Sequence, residues 1–403
     1  MATLRTVGQP RATAAMRSML ADRSPHAVLL TGPQSVGKRS LAADLAAGLL
    51  CVGATGADRP CRQCRGCRMV DHGNHPDVHR LDPEGAGAMV GIGGPSRPRG
   101  VRDLVAELAL MPVEGGHRVA VISDAHRMTE DAQSALLKTL EEPPSDTTLI
   151  LLADDEERLL PTVRSRCARV RLGTVGSRDI EQLLHDLGVA DAPTAARLAR
   201  LTGGRPGLAV TFASVPEAVT LRGEIARTLL DLTDQDPQAR LAASRELMAR
   251  ATQLATLLAS ARDEASAASR PGRSTATKDP APEPSADGRA GDRQGVREGG
   301  EPESSPGRKA SASERRRALV LVLDIWLDLA RDLALAERDA TGMIRDMALL
   351  EELTAVGARI ERGAADSALE RLVRARELID ANVSPELVLD VALLQWPRAT
   401  VAA

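Results

Sequence analysis

The chain has 403 residues, enough for two or three domains, with 43% hydrophobic residues, 1% aromatics and a formal net charge of −3. That balance argues against a stand-alone nucleic-acid binder with a dominant basic face, and no uninterrupted apolar run is long enough to span a membrane. No signal pattern precedes Pro10, so a cytoplasmic protein is expected.

Residues 1–173 alternate apolar strands with helical patterns, the rhythm of a parallel α/β sheet. Strands are expected at 27–31, 78–81, 118–123, 148–153 and 168–172. Directly after the first comes Gly32-Pro33-Gln34-Ser35-Val36-Gly37-Lys38, with the spacing of a phosphate-binding P-loop. Its glycines let backbone N–H groups close around phosphate oxygens, and Lys38 would reach the terminal phosphates. The next residue should be Ser or Thr, to ligate Mg²⁺, but it is Arg39, whose guanidinium has donors only. Ser40 could serve only from a position about 100° further around the helix.

Next come Cys51, Cys61, Cys64 and Cys67. The two-residue spacings let neighbouring thiolates converge on one ion, and four complete a tetrahedral structural zinc site. A cytoplasmic setting disfavours disulfides. An iron–sulfur cluster would want a further Cys where Asp71 stands. His72, His75 and His79 follow, and one of them replacing a cysteine stays open.

The strand 118–123 should end in an Asp for Mg²⁺ and a Glu to orient water, but the sequence reads Ser123-Asp124-Ala125-His126. In the direct register Ser123 takes the metal Asp's place. Shifted by one, Asp124 becomes the ligand and Ala125 replaces the base. Either way hydrolysis lacks one of the groups phosphoryl transfer needs. A helix over 131–142, with Ala132, Ala135, Leu136 and Leu140 on one stripe, stops at Pro143-Pro144.

Residues 174–215 read as a small helical lid-like unit, and 216–400 as an all-helical domain. The latter is interrupted at about 264–314, where Val296 is the one large aliphatic residue among Pro, Gly, Ser, Ala and charge. Such a segment is expected to be disordered.

These motifs resemble those of the delta-prime subunits of bacterial DNA polymerase III clamp loaders, which are AAA+ proteins. The resemblance rests on Val7-Gly8-Gln9, the degenerate P-loop, the four cysteines, the run from Ala135 to Pro144, and Ser165-Arg166-Cys167. It covers residues 1 to about 214. The tract from Ala135 to Pro144 is shared with the ATP-hydrolysing gamma/tau subunits. Arg39, Ser123-Asp124 and the absence of Thr or Asn in Leu152-Ala153-Asp154-Asp155 separate this chain from them.

The resemblance implies an α/β AAA+ P-loop domain at 1–173 with a zinc-binding insertion at 51–75. A small helical domain at 174–215 and an all-α collar-type domain at 216–400 would follow. It implies a stator-like subunit without intrinsic ATP hydrolysis, inside a holoenzyme with DNA-directed DNA polymerase activity. Its partners would be gamma/tau and delta subunits and, through the complex, the sliding clamp and primed DNA. Arg166 would act in trans as an arginine finger at a neighbouring gamma/tau ATP site. Arg164 is read as a surface residue and Arg205 as resembling a second-domain sensor. Whether Gly32, Gly37 and Lys38 still bind ATP is left open. The rival readings are an active gamma/tau-type ATPase, with Ser40 on the metal, and a zinc-bearing DNA-binding module.

Overall fold

The computed structural model describes residues 3–21, 25–83, 89–94, 98–114, 116–268, 311–381 and 383–400. Its first half runs α1 (Pro10–Ala21), β1 (Ala27–Thr31), α2 (Lys38–Leu49), α3 (Arg65–Asp71), β2 (Val78–Leu81) and α4 (Val101–Leu108). It continues through β3 (Arg118–Ile122), α5 (Glu130–Glu141), β4 (Thr147–Ala153), α6 (Pro161–Arg164) and β5 (Ala168–Arg171).

The strands form one parallel sheet in the order β2-β3-β4-β1-β5, with Leu29 opposite Leu151 and Ala120 opposite Leu149. Every residue of β1, β3 and β4 is buried, because helices cover both faces of a parallel sheet and its strands read as continuous apolar runs. Val28, Leu30, Val119 and Ile150 pack with Leu41 and Leu45 of α2 on one face. Leu29, Ile122 and Leu151 pack with Leu104 of α4 and Leu136 of α5 on the other. Helix α5 begins one residue earlier than the sequence suggests, because the Thr129 hydroxyl caps it by accepting from Ala132 N.

The second half is helical: α7 (Ser177–Asp186), α8 (Ala192–Leu201), α9 (Pro206–Ser214), α10 (Pro216–Asp231), α11 (Pro237–Ala242) and α12 (Ser244–Ala268), then α13 (Ala312–Ala336), α14 (Leu350–Gly357), α15 (Ala364–Asp380) and α16 (Pro385–Leu394). One buried core runs from Val175 to Trp396, so α7–α9 pack into the same interior as the later helices. Trp326 and Trp396 meet there at 5.2 Å between ring centroids, and Trp396 Nε1 donates to Leu229 O at 2.8 Å.

The segment expected to be unstructured at 264–314 is helical at both ends. α12 continues to Ala268, and α13 starts at Ala312 behind a capping box in which Ser311 and Glu314 exchange hydrogen bonds. The cap lifts the helix start more than a turn ahead of Ala318, its first buried residue. Residues 269–310 lie outside the described ones. Among the described residues no helix is long and apolar enough to cross a membrane.

Candidate nucleotide site and metal centre

The P-loop leaves β1 through Gly32, at φ +143, where a Cβ would stand 2.2 Å from Leu172 O. It enters α2 through Gly37 at φ 106. Only glycine suits either position. Lys38 is buried, and its ammonium donates to Gly32 O at 2.5 Å, Pro33 O at 2.6 Å and Asp154 Oδ1 at 2.6 Å. An ammonium has three donors, and here the protein itself supplies three acceptors. The loop is held from outside as well: Gly207 N donates to Ser35 O at 2.9 Å, and Gln9 Nε2 to Val36 O at 3.2 Å and Gly173 O at 2.6 Å.

Arg39, next on α2, is exposed, and its side chain has no hydrogen-bond or ion-pair partner among the described residues. Ser123 is buried and extends β3, its N–H donating to Leu81 O. Asp124 turns left-handed at φ 48 and joins His126 and Asp154, one ligand atom from each lying within 4.8 Å of the others. Burial pulls the His126 pKa below its usual value, against the pull of Asp154 and Asp124, and Asp154 N donates to its Nδ1 at 3.3 Å. Two carboxylates and a neutral imidazole could hold a cation, although the Lys38 ammonium on Asp154 already places a positive charge there. The pairing of His126 with Asp154 is not legible as a motif; it arises because β3 and β4 are adjacent and parallel.

The four cysteines converge. One sulfur from each of Cys51, Cys61, Cys64 and Cys67 lies within 4.8 Å of the others, and this cluster could hold a metal ion. Cys51 follows α2, and Cys64 caps α3, its sulfur accepting from Cys67 N at 3.5 Å. Cys64 N in turn donates to Cys61 Sγ at 3.4 Å. Such N–H groups stabilise thiolates. Burial opposes it, but the N–H groups of Cys67 and Val52 bring Cys64 down to about 6. Cys61 is lowered by the N–H groups of Gln63 and Cys64, while burial raises Cys67. Sulfur donors with this spacing suit zinc and leave no place for an oxygen-seeking cation.

No histidine joins the cluster among the described residues. His75 is buried and accepts from Asp77 N at 3.1 Å, His79 pairs with Glu107 at 2.9 Å, and His72 caps the end of α3. The loop is instead pinned by Arg62, which binds both Asp44 of α2 and Asp71 of α3. Asp44 is fully buried and also accepts from Arg5 N and Thr6 N.

Arg166 follows α6, its side chain about one-third exposed at 34%. Its Nη2 donates to Glu141 Oε1 at 2.6 Å and its Nη1 to Thr162 O at 2.9 Å. The α6 segment is fixed from below by the buried Gln133, whose Oε1 accepts from Leu160 N at 2.7 Å. Arg164 pairs with Glu157 at 2.8 Å. Arg205 turns to α13, binding Asp328 at 2.9 Å.

A P-loop on a five-stranded parallel sheet, followed by a helical region and carrying a four-cysteine cluster, defines a nucleotide-fold protein of the AAA+ class. The family model described as "DNA polymerase III, delta subunit" matches residues 8–175. The delta' subunit of DNA polymerase III from Pseudomonas aeruginosa is 38% identical over 195 residues, 48% of this chain and 57% of that protein. The delta' subunit from Bacillus subtilis is 34% identical over 191 residues, covering 47% of this chain and 54% of its own length. The tau/gamma subunit from Haemophilus influenzae is 33% identical over 189 residues, 46% of this chain and 26% of that protein. Over residues 8–175, its α/β domain, this chain matches that family model and is similar to the delta' subunits of DNA polymerase III. The matched stretch spans just over half the length of the delta-prime relatives.

Proposed function

We propose that this chain is a delta-prime-type, ATPase-deficient subunit of a bacterial DNA polymerase III clamp loader, helping to place a sliding clamp on primed DNA. The observation that carries this reading is the state of the P-loop. Lys38 is satisfied by Gly32 O, Pro33 O and Asp154, and Arg39 stands where a hydroxyl ligand to Mg²⁺ would be needed. In this role Cys51, Cys61, Cys64 and Cys67 bind one structural zinc ion. Arg166 supplies its guanidinium to the ATP site of a neighbouring gamma/tau subunit, where a fixed positive charge stabilises charge developing on the transferred phosphoryl group. The helices from α10 onward carry the contacts to gamma/tau and delta subunits, and the assembly works in the cytoplasm.

One observation favours the rival reading, an active gamma/tau-type ATPase: Asp124, His126 and Asp154 gather beside Lys38 and could hold a cation. Co-purification of the full chain with candidate gamma/tau and delta subunits tests the proposal. A stable complex that loads a clamp on primed DNA supports it. A chain that associates with neither subunit removes it.

A further inference from the structure

A cavity of about 610 Å³ lies between the P-loop side of the α/β domain and helices α12 and α13, within the size range of small-ligand sites, roughly 300–1,000 Å³. Arginines line it from four segments that are distant in sequence: Arg39 from α2, Arg80 from β2, Arg127 from the turn after β3, and Arg316 and Arg317 from α13. Among the described residues the side chains of Arg39, Arg80 and Arg317 have no hydrogen-bond or ion-pair partner, whereas Arg127 and Arg316 are partnered.

The opposing carboxylates do not balance them. Asp324 is taken up by Arg376, Asp124 belongs to the cluster with His126 and Asp154, and Asp82 alone remains to face them. The placement is also costly on α13, whose first turns present Arg315, Arg316 and Arg317 to the positive end of the helix dipole. A chain of net charge −3 therefore gathers unmatched guanidinium groups in one concavity. The floor between them is apolar, from Ala43, Ala46, Val121, Leu258 and Leu321.

We infer that this interdomain cavity binds a nucleoside polyphosphate, with its phosphates on Arg39, Arg80 and Arg317 and its nucleoside against the apolar floor. Guanidinium groups bind phosphate oxygens through paired N–H donors and bring the positive charge a metal would otherwise supply. Binding here is therefore independent of magnesium. The inference does not depend on the clamp-loader reading.

Calorimetric titration of the full chain in magnesium-free buffer, with ATP and with adenosine, tests it. ATP should bind and adenosine should not. Arg80→Ala and Arg317→Ala, both at exposed positions, should each weaken ATP about tenfold or more, as loss of a charge-assisted hydrogen bond does, with melting curves like wild type. Lys38→Ala should change affinity less than twofold. Absence of ATP binding to the wild-type chain would overturn the inference, as would equal binding of adenosine. A loss on Lys38→Ala as large as on Arg317→Ala would overturn it too, by placing the ligand in the P-loop cradle.

Discussion

The Arg166 guanidinium rests on Glu141, the last residue of α5, at 2.6 Å. Both side chains are partly open to solvent, at 34% and 49%, and such pairs contribute only about 0–1 kcal/mol. A phosphate presented by a neighbouring subunit can therefore draw Arg166 off Glu141 at small cost, while Gln133 keeps the α6 segment in place.

In a reconstituted complex, Arg166→Ala should leave assembly intact and lower the DNA- and clamp-stimulated ATPase. The loss should be partial, since only the site facing this chain loses its guanidinium. Arg164→Ala, which breaks only the pair with Glu157, should do far less. Turnover assays on each variant decide this, and equal rates for wild type and Arg166→Ala would leave the chain a scaffold.

The isolated chain should show no magnesium-dependent ATPase above background, because Arg39 cannot ligate a cation. A rate that disappears on Lys38→Ala would instead favour the reading in which Asp124, His126 and Asp154 hold the metal.

Metal analysis of purified protein should find one zinc per chain, and Cys64→Ser should lose it. Structural zinc sites in zinc-finger peptides contribute on the order of 10 kcal/mol to folding, so residues 51–71 should become protease-sensitive in the variant. Absorption bands of an iron–sulfur cluster would contradict this assignment.

Asp44→Asn should destabilise the α/β domain by about 3–5 kcal/mol, the usual effect of removing one partner of a buried ion pair. Asp44 is 0% exposed and accepts from the Thr6 hydroxyl at 2.6 Å as well as from Arg62 and two backbone N–H groups. Urea unfolding measures the change, and a loss under about 1 kcal/mol, typical of exposed pairs, would refute the role.

Acid should weaken the fold through His75, which is buried, and the partly buried His117 and His126. Burial holds the pKa values of His75, His117 and His126 below the usual value, so as pH falls the unfolded chain takes up protons first. Stability should be fully present above about pH 6.5, the unfolded histidine value, and fall as pH drops below it. The urea midpoint should therefore be lower at pH 5.5 than at 7.5, and His117→Gln should flatten part of that dependence.

The apolar runs of β1, β3 and β4 and the spacing of Cys51, Cys61, Cys64 and Cys67 are legible in the sequence, because strand burial and ligand convergence both follow from local periodicity. The Ser311–Glu314 capping box is equally local but is masked by the Pro- and Ser-rich composition beside it. Contacts set by topology are not legible. Asp44 reads as an ordinary helix acid until the fold brings Arg62 onto it, and Glu141 meets Arg166 across 25 residues because α5 and α6 pack together.

The unbroken interior from Val175 to Trp396 fixes how this chain comes apart. Helices α7–α9 have no separate core to melt around, so Ile180 and Leu198 can lose their packing only as Trp326 and Trp396 lose theirs. Heating should reveal two cooperative units, the sheet domain and the whole helical half, with no third transition for the short helices between them.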